Sequence, residues 1–73
     1  MKGIPSKEEI GYYKKKYTRG TRIRLNEMKG EPQMYSGLEG TVLHVDDIGQ
    51  IVMRWDNGSG LSLNVYEDSF TVI

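Results

Sequence analysis

Seventy-three residues without a cysteine make one domain with a small core, because a chain this short buries only about 60% of the surface its unfolded form exposes. That excludes a deep cavity walled off from water, and the missing cysteine excludes disulfides, thiolate metal sites and cysteine nucleophiles. Formal charge is zero, yet residues 1–30 carry nine Lys and Arg against three Glu, a net +6, while residues 31–73 carry Arg54 alone against seven acids, a net −6. This asymmetry marks either an interaction surface or two ends that face each other in the fold.

The N-terminus from Met1 to Glu9 has no apolar run of signal-peptide length. No stretch approaches the roughly 20 apolar residues of a membrane span. With the absence of cysteine, which suits a reducing compartment, the expectation is a soluble cytoplasmic chain with no membrane contact.

In chain order, the first predicted element is a helix over residues 6–18. Ser6 and Glu9 fit the S-x-x-E capping box, in which each side chain satisfies a free backbone N–H. Glu8 and Glu9 stand at the positive end of the helix dipole, and Lys14, Lys15 and Lys16 at the negative end. Ile10, Tyr13 and Tyr17 fall on one face at three- and four-residue spacing. A helix this short is marginal alone, and Gly11 costs it about 1 kcal/mol relative to Ala, so this stripe is expected to dock on the rest of the molecule.

After Gly20 the period becomes two. Thr21 to Leu25 alternates basic with aliphatic residues, as a half-buried strand does, and an irregular loop follows from Asn26 to Leu38. A second strand runs from Gly40 to Val45 and ends in a turn at Asp46-Asp47-Ile48-Gly49. A third has Ile51, Met53 and Trp55 on one face. Asp56-Asn57-Gly58-Ser59 is the strongest local signal, since Asn-Gly supplies the left-handed residues of a tight hairpin. Leu61 and Leu63 define a fourth strand, residues 65–69 a short turn, and Phe70 to Ile73 a fifth. The expected fold is mainly β: a single domain over residues 1–73, with a short N-terminal helix and a five-stranded SH3-like barrel over residues 20–73.

Gly20-Thr21-Arg22-Ile23-Arg24-Leu25, Gly40-Thr41-Val42, Val45-Asp46-Asp47-Ile48-Gly49-Gln50-Ile51 and Trp55-Asp56-Asn57-Gly58-Ser59 together resemble the bacterial domain-of-unknown-function family 4314. The resemblance runs from the helix to Ile73, with residues 40–59 its most specific part. It implies a small β fold in a bacterial, phage or mobile-element setting, and no activity. The chain departs from the pattern before Gly20 and Gly37, where Thr18-Arg19 and Met34-Tyr35-Ser36 replace more proline-rich segments.

The residues point away from catalysis. His44, the one histidine, lies in a strand without a nucleophile partner, and no G-x-S-x-G elbow occurs. Asp46 and Asp47 are separated from Asp56 by a strand of roughly 20 Å, too far to share an ion, and each cluster reads as turn chemistry. No cofactor, metal or small-molecule substrate is expected.

Two binding surfaces remain. Met34, Tyr35 and Tyr66 are expected to meet as a shallow aromatic groove for an extended protein segment. Lys14, Lys15, Lys16, Arg19, Arg22 and Arg24, interleaved with Tyr12, Tyr13 and Tyr17, form a basic stretch able to track phosphates while exposed tyrosines stack on bases. Edge strands could also recruit a partner, with Arg22 and Arg24 blunting one edge. Trp55, which alternates with Ile51 and Met53, is placed at the rim of the core, and because an SH3 ligand-binding Trp sits at the start of the equivalent strand, the proline-recognition surface does not carry over. A protein-binding module is the first expectation, and weak sequence-tolerant nucleic-acid binding the alternative.

Overall fold

The computed structural model describes residues 4–73. The first three residues of the N-terminal segment read above lie outside the described residues. The helix α1 spans Lys7–Lys16, inside the predicted 6–18. Its capping box is formed in both directions: the Glu9 N–H donates to Ser6 Oγ at 3.2 Å, and the Ser6 N–H donates to Glu9 Oε1 at 2.9 Å. The helix closes at Tyr17, whose N–H donates to the Tyr13 carbonyl at 2.8 Å.

Four strands follow, β1 (Arg22–Glu27), β2 (Glu39–Val45), β3 (Ile51–Trp55) and β4 (Ser69–Val72). They form one open antiparallel sheet in the order β3-β2-β1-β4. Alternation decides what each strand buries. Ile23 and Leu25 of β1, and Ile51, Met53 and Trp55 of β3, lie at 2% exposure or less, while Arg22, Arg24 and Arg54 point to the other face. Tyr17, just past the helix, is buried and packs edge-on against Phe70 at 5.8 Å between ring centroids. This docks α1 as its apolar stripe predicts.

The sheet is open, with four strands where five in a closed barrel are expected. Residues 61–64 contribute a single bridge, Leu63 opposite Ile51, with both N–H···O=C bonds at 2.9 Å. The reason lies in the preceding hairpin. The Trp55 N–H donates to the Ser59 carbonyl, and the Trp55 indole Nε1 donates to the Leu61 carbonyl at 2.8 Å. The indole bond takes the acceptor that the next rung, Met53 opposite Leu61, would use, and Gly58 and Gly60 bring no side chain to pack. The turn itself also differs from the predicted one. Gly58 has positive φ (+90°), and no described residue other than glycine does, so Asn57 instead accepts the Ser59 N–H on its side-chain oxygen at 3.0 Å.

Trp55 is a centre of the core, not its rim. It is 1% exposed, and its ring lies against Gly40, where a Cβ would come within 2.7 Å of it. Glycine at 40 is therefore a packing requirement. Strand β1 is interior to the sheet, so Arg22 and Arg24 guard no edge; they lie across its outer face.

Candidate functional site

The two oppositely charged halves of the chain meet within one molecule. Every ion pair among the described residues joins a cation from residues 1–30 to an acid from residues 31–73. Register produces most of this. Arg22 and Arg24 of β1 stand opposite Thr41 and Glu39 of β2, and Asp56 follows β3, whose Arg54 stands opposite Thr41. Arg22 grips Asp56 with two nitrogens, at 2.7 and 3.0 Å, donates to Thr41 Oγ1 at 2.9 Å, and reaches Glu39 at 3.4 Å. Arg24 Nε lies 3.6 Å from the other Glu39 oxygen. The Arg22 bonds hold the Asp56 carboxyl below its ordinary value, and Asp56 in turn raises the Arg22 guanidinium.

Lys14 belongs to the same scheme, pairing with Asp47 at 3.1 Å across the helix–turn junction. Of the six basic residues expected to contact nucleic acid, Lys14, Arg22 and Arg24 are therefore committed to carboxylates. Lys16 lies over the Tyr12 and Tyr17 rings, 5.6 and 5.4 Å from their centroids, and Tyr17 followed by Tyr12 raises its pKa. Lys15 and Arg19 make no ion pair among the described residues. The fold thus divides the predicted basic stretch into a paired sheet face and a freer helix end.

The predicted groove divides as well. Met34 is buried at 6% exposure, whereas its neighbour Tyr35 is 57% exposed. Met34 forms the floor of an open cleft of about 420 Å³ whose walls are Met28, Gly30, Glu31 and Pro32, all in the β1–β2 loop. That loop is tied to the β3 hairpin by Asn57, whose Nδ2 donates to the Gln33 carbonyl at 3.0 Å.

Tyr66 does not line that cleft. It lies in the turn before β4, where the Asp68 carboxylate accepts the Asn64 N–H and Asn64 Oδ1 accepts the Tyr66 N–H. Its hydroxyl donates to Glu9 Oε2 on α1 at 2.7 Å. The Ser6 backbone N–H and then the Tyr66 hydroxyl hold the Glu9 carboxyl below its ordinary value, while Glu9 pushes Tyr66 up to about 12. Tyr66 is a clasp on the helix. Sequence gave no signal for this, since it depends on where the turn before β4 falls relative to α1.

A second cleft, of about 380 Å³, separates α1 from the β2–β3 turn and is lined by Lys7, Ile10, Gly11, Lys14 and Asp47. Beside it, Gly49 (φ +83°) packs against Pro5 and Ile10, where a Cβ would come within 2.6 Å of the proline ring. His44 is exposed on β2. No group of three or more His, Cys, Asp or Glu among the described residues is arranged to hold a metal ion. No helix among them is long and apolar enough to cross a membrane.

Comparison with family models matches residues 6–73 to the domain of unknown function DUF4314. The match covers nearly the whole chain, and the chain belongs to that family. Comparison with curated proteins gave no match, and neither did comparison with solved structures.

Proposed function

We propose that this family member is a small binding module that contacts another protein through its β1–β2 loop, in a bacterial mobile-element or phage-related setting. The observation that carries the reading is the pairing of Met34 with Tyr35. One floors an open cleft edged by Met28 and Pro32, and the other stands exposed beside it in sequence. Methionine side chains are unbranched and polarizable and adapt to varied apolar partners, and an exposed tyrosine offers a rigid aromatic anchor at low entropy cost. Such a surface takes an extended segment without enclosing it, which suits an adaptor better than an enzyme. We read the chain as one short helix against an SH3-like barrel whose fourth strand is reduced to the Leu63 bridge. The β3-β2-β1-β4 order supports this, with the last strand returning beside the first.

Affinity capture from host extract tests the proposal, with Tyr35→Ala as the matched control. The expected result is one polypeptide enriched by the wild type and lost by Tyr35→Ala, with the amide spectrum of the sheet unchanged. A partner retained equally by Tyr35→Ala removes the loop from the site.

Nucleic-acid binding is the second reading, favoured by Tyr12, 58% exposed with Lys16 over its ring, and by Lys15 and Arg19, which make no ion pair among the described residues. It requires amide shifts at Tyr12, Lys15, Lys16 and Arg19 on adding a short oligonucleotide, reversed by salt as released counterions are restored. Arg22 and Arg24, held by Asp56 and Glu39, are expected to stay still.

A further inference from the structure

The two edges of the sheet are finished differently. Beyond β3, the Leu63 bridge and the Trp55 indole bond cover the edge. Beyond β4, no described strand follows. The Ile73 N–H donates to the Arg22 carbonyl at 3.0 Å, and the register continues through Thr71 opposite Arg24. In an antiparallel ladder, alternate residues turn their N–H and C=O to the same neighbour. Thr71 and Ile73 therefore face β1, and the N–H and C=O groups of Phe70 and Val72 face outward.

The side chains tell the same story. Residues directly opposite in a ladder share a face. Phe70 stands opposite Leu25 and Val72 opposite Ile23, both fully buried, so Phe70 and Val72 lie on the core face. Yet Phe70 is only partly buried and Val72 is 47% exposed. The core face runs off the end of the sheet. The strand also lacks the charges and prolines with which exposed edges are usually blunted.

We infer that β4 is a self-association edge, where a second copy of this chain adds its own β4 antiparallel across a two-fold axis through Thr71. In that register Phe70 of each copy lies opposite Val72 of the other, so the outward N–H and C=O groups are exchanged in matched pairs. The core face of one sheet then continues into the next. A second copy is the occupant because the edge is self-complementary: apolar meets apolar, and Thr71 meets Thr71. No side chain in residues 69–73 carries a charge to oppose the approach, and the chain's formal charge of zero adds no long-range repulsion. The interface is small, which makes the association weak and concentration-dependent.

Sedimentation equilibrium and amide NMR, run on the whole chain from about 10 µM to about 1 mM, test this over the range expected of a weak contact. The expected result is an average mass rising from 8.3 kDa towards twice that value, with concentration-dependent shifts at the Phe70 and Val72 amides. Val72→Pro removes an outward donor and none of the bonds to β1, so it is expected to stay monomeric with its β1–β3 spectrum intact. Thr71→Glu places like charges across the two-fold axis and is expected to do the same. A mass fixed at 8.3 kDa up to 1 mM, shifts confined to α1, or dimerisation unchanged in both variants would each overturn the inference.

Discussion

The β2–β3 hairpin and the helix α1 meet at the turn carrying Asp47 and Gly49, but they are attached to the molecule by different forces. Val42, Ile51, Met53 and Trp55 of the hairpin are all at 2% exposure or less. No residue within α1 is buried. The helix is held by Pro5 and Ile10 seated over Gly49, by the Tyr13 and Tyr17 rings, and by two polar contacts, Glu9–Tyr66 and Lys14–Asp47. The hairpin is expected to respond to changes of volume, and the helix to changes of pH and salt. In a domain with so small a core, this difference separates the part that sets global stability from the part that can loosen while the rest stays folded.

Volume changes at the hairpin have the largest expected effects. Trp55→Ala removes the biggest buried side chain together with its indole bond, and it is expected to cost about 3–5 kcal/mol, enough to unfold much of the population of a 73-residue domain at room temperature. Gly40→Ala adds a single carbon, but one that must displace the Trp55 ring or the Arg54 carbonyl, and about 1–3 kcal/mol of destabilisation is expected. Urea denaturation measures both. A neutral Gly40→Ala would show that the ring has room to move, and would bring the hairpin closer to the helix in character.

Two substitutions within the helix segment are expected to act in opposite directions. Ser6→Ala breaks half of the capping box and is expected to weaken α1 by about 1 kcal/mol. At Gly11 a Cβ would meet nothing within 4 Å, so Gly11→Ala is expected to strengthen α1 by about 1 kcal/mol. Amide exchange resolves where each effect falls. Changed protection confined to residues 7–16 supports a separable helix. A matching change in the β1–β3 amides would make helix and sheet one cooperative unit.

Much of the fold was legible in the residues. The capping box, the Ile10/Tyr13/Tyr17 stripe, the alternation in β1 and β3, and the Asp46 turn each carry a local signal that the structure matches. What failed depended on contacts between distant parts of the chain. Residues 61–64 have the alternation of a strand, but the Trp55 indole takes the Leu61 carbonyl, which no local pattern reveals. Met34 and Tyr35 fall in the irregular loop that the residues predict. Turn position alone puts Tyr66 in the same groove and cannot show that its hydroxyl reaches Glu9. The charge asymmetry left two meanings open, and only register could choose between them, by setting Glu39 beside Arg22 and Arg24.

The Glu9–Tyr66 clasp has the smallest expected effect on the whole molecule and gives the sharpest test of the comparison. Glu9 has a folded pKa below its ordinary 4.5, so its contribution is present above that value and fades as pH falls through the lowered one. Tyr66 has a folded pKa raised from 10.0 to about 12, so its contribution is complete below 10 and fades as pH rises towards 12. Protection of the α1 amides should therefore fall in acid and again in alkali, before the sheet responds. Tyr66→Phe should reduce the alkaline loss, because residue 66 then carries no hydroxyl to ionise and the Lys14–Asp47 pair is left as the remaining polar contact. It should only shrink the acid loss, because the Ser6 N–H still donates to Glu9. Salt should loosen the helix further by screening Lys14–Asp47, which is exposed on both sides. An alkaline loss that persists unchanged in Tyr66→Phe would assign the titration to another group and remove the Glu9–Tyr66 clasp from the contacts that hold the helix.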